Sequence, residues 1–173
     1  LNERITMSSF NGLLDAIFLP PRKWVLNKAL RFKSDDLDNT EVEMLKECSV
    51  DVIDNGKNTA TITVPKNYIT DLASVPRICW AFIAPFDVAR AAVIHDILYE
   101  KINGAFKEGI ISTKKQRELY RSIADNIFRQ GMENSEPSVP KWKIKSAYYS
   151  VRMFGRWAIN SSAPRGAKPQ AKK

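Results

Sequence analysis

The period at which apolar residues recur changes once along this chain, and that change sets the fold class. Up to about residue 65 the apolar positions alternate. Cys48 to Ile53 (CSVDVI) and Thr59 to Val64 (TATITV) are β-branched runs of period two. That spacing puts one strand face on a core and the other in water. Trp24 to Lys33 (WVLNKALRFK) mixes apolar and basic residues in the same rough alternation. Between the two β-branched runs lies Asp54-Asn55-Gly56-Lys57-Asn58. Asn and Gly both tolerate positive φ, so a hairpin around Asn55-Gly56 is predicted. Pro65 ends the second strand, and Val42 to Lys46 is read as a short helical turn after the polar loop Asp35, Asp36, Asp38 and Asn39.

From Val88 onward the period becomes 3.6. Val88, Ala91, Ala92, His95, Leu98, Tyr99 and Ile102 fall on one face of a helix that Gly104 is expected to stop. Thr113 with Gln116 three residues on matches a capping box and opens a second helix to about Met132. The breaker EPSVP (136–140) separates it from a third helix, Lys141 to Trp157. Strands followed by helices predict an α+β fold, an N-terminal antiparallel sheet packed on about three C-terminal helices. Residues 1–160 are read as one domain, and 161–173 as a flexible basic tail. The longest apolar run, Ile78 to Phe86, contains Pro85 and falls well short of the ~20 residues that span a bilayer, so no transmembrane segment is expected. The opening LNERITMSSF has mixed charge and no apolar stretch of signal-peptide type. Cys48 and Cys79 lack C-x-x-C spacing; free, partly buried thiols are the ordinary reading in a reducing compartment, and a single disulfide between them stays open.

Net charge is +8, and its placement is uneven. Lys141, Lys143, Lys145, Arg152 and Arg156 precede a tail carrying Arg165, Lys168, Lys172 and Lys173, with no acidic residue among them. Charge gathered at one end suggests a polyanion or an acidic surface as partner, or a solvated tail that aids solubility. No helix-turn-helix, zinc-finger or RNA-binding motif accompanies it, so nucleic-acid binding ranks third among the functional readings.

His95 is the only histidine in the chain, and any imidazole chemistry turns on it. On a helix Asp96 points about 100° away from it, whereas Tyr99 at i+4 shares its face. Asp125 on the following helix comes within reach if the two helices pack antiparallel. A carboxylate on His95 Nδ1 would fix the tautomer and leave Nε2 to activate water. The plain alternative is a core histidine satisfied by Asp or Tyr, with Asp125 paired to Arg121 at i−4 on an exposed face. In TDLASVPR (70–77), Asp71, Ser74 and Arg77 are read either as a brace between sheet and helices or as the wall of a polar pocket beside His95. Ser74 lacks the G-x-S-x-G elbow of a nucleophile.

The H-D-x-x-Y arrangement with a second Asp on a partner helix resembles phospholipase A2 enzymes, the short viral form included. That resemblance implies His95 as general base, Asp96 as a Ca²⁺ ligand, Tyr99 as support and Asp125 as the orienting carboxylate. The segment before the helix, RICWAFIAPFD, contains no glycine, so the Gly-rich calcium loop of those enzymes has no counterpart in it.

A wider resemblance runs from about Phe10 to Trp157. Its blocks are VPKNYITDLASVPR (64–77), Trp80, Pro85, AAVIHDILY (91–99), RSIADNIF (121–128), Met132 and YYSVRMFGRW (148–157). In order and spacing they resemble the domain-of-unknown-function family numbered 1353, found in bacteriophages and phage remnants. Lys66-Asn67-Tyr68 departs from the small residue, Gly and Phe common there after V-P. The resemblance implies a virion or phage-accessory role, made in the host cytoplasm; with the uneven charge it makes a protein of the tail or head–tail machinery, with other virion proteins as partners, the first functional expectation. It implies no established reaction. A metal-assisted His/Asp hydrolase acting on a host envelope lipid or cell-wall bond is the second functional expectation.

Overall fold

The computed structural model describes residues 8–71, 88–136 and 138–158, without the side chains of 154–158. The fold is α+β. Two antiparallel sheets built from the first half pack against helices from the second.

The larger sheet holds β1 (Ser9–Phe10), β4 (Leu30–Ser34), β5 (Val52–Gly56) and β6 (Thr59–Val64) in the order β1-β4-β6-β5. Period two is obeyed at its centre. Leu30, Phe32 and Ser34 of β4 point inward opposite Val64, Ile62 and Ala60 of β6, while Arg31 and Lys33 face out. The smaller sheet, in the order β2-β3-β7, joins β2 (Ala16–Leu19), β3 (Lys23–Leu26) and β7 (Ile69–Thr70). Trp24 to Lys33 is therefore two strands in two sheets, not one. Leu26 exchanges backbone bonds with Asn67 and Tyr68, and Asn27 Nδ2 donates to Asp15 Oδ1 at 2.8 Å, so the chain leaves the first sheet there before entering the second.

Two further expectations shift. The polar loop leads into a full helix, α1 (Asn39–Glu47), because Asp38 and Glu41 form a reciprocal capping box. Ser49 then takes a left-handed φ of 58° and closes the helix by donating to Lys46 O. The strand expected from Cys48 accordingly starts at Val52. The hairpin is present, but its two-residue turn is Lys57-Asn58, with φ of 55° and 58°. Gly56, at φ 76°, still pairs with Thr59. Asn55 becomes the extra residue of a bulge, its Nδ2 donating to Thr61 Oγ1 at 2.8 Å. The Asn-Gly pair marks the irregularity next to the turn rather than the turn itself.

The long helices are α2 (Ala89–Lys107), α3 (Lys114–Glu133) and α4 (Lys141–Ala158). α2 runs through Gly104, which has a helical backbone, and stops before Gly109, whose φ of 79° is the left-handed exit. α3 begins at the predicted Thr113–Gln116 capping box. Residues 91–99 of α2 are buried on every side, because the helix is sandwiched. Val93, Ile94, Leu98 and Ile102 belong to the core shared with β4 and β6, while Val88, Ala91 and Ala92 join Phe128, Met132, Ile144, Ala147 and Val151 in a second core among the helices. Gly131 lets α2 and α3 approach closely. A Cβ placed there would sit 2.9 Å from that of Ala91. Cys48 is buried with a free thiol whose pKa burial pushes up to about 11. Among the described residues no helix is long and apolar enough to cross a membrane.

Candidate functional site

Antiparallel packing of α2 on α3 brings His95, Tyr99 and Asp125 together, as their spacing predicted. Asp125, fully buried, is the centre. Its Oδ1 receives His95 Nε2 at 2.8 Å and the Tyr99 hydroxyl at 2.6 Å. Its Oδ2 receives Arg152 Nη1 of α4 at 3.0 Å. One carboxylate thus ties three helices.

A carboxylate can only accept, so the neutral imidazole must place its hydrogen on Nε2. This reverses the expected orientation: Asp125 holds Nε2, and Nδ1 has no hydrogen-bond partner among the described residues. The ring lies between Tyr99 and Phe128, with centroids at 4.1 and 4.9 Å. The His95 side chain is 2% exposed, and its Nδ1 is buried from solvent.

The electrostatics follow from this geometry. Burial pushes the Asp125 carboxyl upward, but the bonds from His95, Tyr99 and Arg152 outweigh it and leave the pKa below its ordinary value. Burial, then the neighbouring Asp125 charge, drives the Tyr99 hydroxyl far upward, so it remains a donor. Arg152 is raised: its desolvation is outweighed by the bond to Asp125.

Asp96 points elsewhere, as its helical position requires. Thr70 Oγ1 of β7 donates to its Oδ2 at 2.5 Å in a buried contact. The adjacent pair His95-Asp96 therefore serves two interfaces, the imidazole toward α3 and the carboxylate toward the small sheet. Asp71, the residue after β7, is half-buried. Ser74, Arg77, Trp80, Pro85 and Cys79 lie outside the described residues, and with them most of the predicted pocket wall. Among the described residues no group of three His, Cys, Asp or Glu side chains forms a metal site.

Arg121 is not the exposed partner of Asp125 that the i−4 spacing suggested. It is fully buried, its Nη1 donates to Glu118 Oε1 at 2.6 Å, and its guanidinium lies 5.3 Å from the Tyr99 ring centroid. The cation that does pair with Asp125 is Arg152, which sequence reasoning placed only among the basic residues of the C-terminal end. Its signal was its position beside Val151 on an amphipathic helix, which leaves its inward or outward direction open. A second buried polar link went unread. Ser34 Oγ of β4 donates to Gln130 Oε1 of α3 at 2.6 Å, so a serine on the inward face of a strand joins sheet to helix.

The model of a family described as "Protein of unknown function (DUF1353)" matches residues 42–151. The chain belongs to that family. The DUF1353 match takes in His95, Asp96, Tyr99 and Asp125 and ends one residue before Arg152. No curated protein and no solved structure matches the chain.

Proposed function

We propose that this chain is a virion-associated accessory protein of a bacteriophage, in which the His95–Asp125 cluster is a structural clamp. The phage assignment rests on what the DUF1353 resemblance implies. The clamp assignment is carried by one observation: Asp125, with no exposed surface, receives hydrogen bonds from both α2 and α4. Every lone pair so used is one fewer for chemistry, and Arg152 beside the carboxylate weakens its help to the imidazole as a base. The test is mass spectrometry of purified particles. Finding the chain at defined stoichiometry supports the assignment, and its absence from particles that contain the other virion proteins removes it.

A second reading, the metal-assisted His/Asp hydrolase, is favoured by His95 Nδ1. A histidine oriented by a carboxylate through one nitrogen and bare at the other has the form of a general base. Water must first reach that nitrogen. Wild type and His95→Gln should be compared for ester, phospholipid and peptidoglycan cleavage, with and without Ca²⁺. Equal rates leave the clamp; a loss of turnover in a variant that melts as a folded protein establishes the hydrolase.

A further inference from the structure

We propose that the outward face of α4 docks on an anionic phospholipid bilayer. α4 has two apolar sides. Ile144, Ala147 and Val151 are buried against α2 and α3. Opposite them, Trp142, Tyr149 and Met153 are 56%, 62% and 64% exposed. Their spacings of seven and four residues align them within about 20° of one line along the helix, roughly 16 Å long at 1.5 Å per residue. Lys141 and Lys145, both exposed, flank that line on one side.

Charge selects the occupant. Nine of the 27 Lys and Arg, and none of the 19 Asp and Glu, lie after Glu136; Arg152 is taken up by Asp125 and is not counted toward the docking face. The rest of the chain is therefore close to neutral, and the basic excess sits on α4 and the residues beyond it. An aromatic and thioether stripe beside lysines fits the boundary of headgroups and acyl chains. There Trp and Tyr bury their rings, and Lys reaches up to the phosphates. A duplex would meet the lysines but offer Met153 nothing. The proposal is independent of whether His95 is a clamp or a base, since no residue of that cluster takes part.

The intact chain should be sedimented with vesicles of phosphatidylcholine alone and of phosphatidylcholine with phosphatidylglycerol. Anionic vesicles should bind it at least tenfold more strongly, and added salt should erode the difference. Lys141→Gln and Lys145→Gln should each weaken that binding about fivefold, the factor corresponding to ~1 kcal/mol per surface lysine. Trp142→Ser, Tyr149→Ser and Met153→Ser combined should weaken it tenfold or more, with the melting curve unchanged. Equal partition onto both vesicle types overturns the proposal. So does tighter binding to duplex DNA that survives the triple substitution, which would make the segment a nucleic-acid contact instead.

Discussion

Two aspartates in this molecule each hold a cation and an uncharged donor, and they do different work. Asp15 accepts from Asn27 and lies 3.3 Å from Lys28, with side chains 39% and 80% exposed. Asp125 accepts from His95, Tyr99 and Arg152 with no exposure at all. Both carboxyls are lowered, Asp15 chiefly by the Asn27 bond and Asp125 by bonds that overcome a large burial penalty. The first pair competes with water at every moment. The second has no water to fall back on, so each donor it leaves behind stays unsatisfied. The arrangement of partners is similar; the surroundings decide what it is worth.

The largest test of that contrast is Asp125→Ala. Removing the acceptor strands the His95 Nε2–H and the Tyr99 hydroxyl in the core and breaks the ion pair that ties α4 to α3. The expected loss is about 3–5 kcal/mol, the range for breaking a buried pair. Denaturant titration should show it as a fall in midpoint at unchanged slope. A loss under about 1 kcal/mol would mean the clamp is ornamental. Acid titration sharpens the same point. A carboxyl whose folded pKa lies below its unfolded value stabilises the fold above the unfolded value. That contribution disappears as pH falls through the folded pKa. Stability should therefore decline as pH drops below about 4, and Asp125→Asn should flatten that branch. An unchanged acid branch in the variant would show that Asp125 does not set it.

How much of this was legible follows from the same contrast. Periodic features were read well. β6, the α3 capping box and the shared face of His95 and Tyr99 depend on local spacing, and local spacing is written in sequence. The α2–α3 pairing through Asp125 followed from one topological step, antiparallel packing. What escaped was direction. Arg121 and Arg152 both lie on amphipathic helices, yet Arg121 turns to Glu118 and the Tyr99 ring while Arg152 reaches Asp125, a choice set by how the helices pack and not by local spacing. The choice of Nε2 over Nδ1 is a matter of ring rotation. Asn55-Gly56 misled because Gly56 satisfies its positive φ inside a bulge, leaving the turn to Lys57-Asn58, whose own left-handed backbones carry a weaker composition signal. The second sheet was hidden by the apolar-basic alternation of Trp24 to Lys33, which continues through the break at Asn27.

Packing gives a pair of intermediate tests. Gly131→Ala places a methyl 2.9 Å from Ala91 Cβ and 3.3 Å from the Phe10 ring, where α2 and α3 can yield only by separating. A destabilisation of about 1–3 kcal/mol is expected from such overpacking. Because the separation would also stretch the nearby clamp, combining it with Asp125→Ala should give less than the sum of the two. Gly104→Ala is the mirror case. Nothing lies within 4 Å of its added Cβ, and the position is inside α2. Relief of backbone entropy should raise stability by roughly 0.5–1 kcal/mol. A destabilising Gly104→Ala would show that the Gly-Ala-Phe-Lys end of α2 is held in a conformation alanine resists.

The smallest expected effect closes the comparison with Asp15. Lys28→Met deletes the cation but leaves Asn27 donating to Asp15, and water takes the place the ammonium held. The melting midpoint should not move by an amount the curve resolves, because the pair was exposed from the start. Arg152→Met is the matched change at Asp125. It removes one of three donors from a carboxylate that no water reaches, so its midpoint should fall clearly while that of Lys28→Met does not. If the two variants melted together, burial would not be what separates these aspartates, and the three-helix clamp would have no stronger claim on the fold than a surface ion pair.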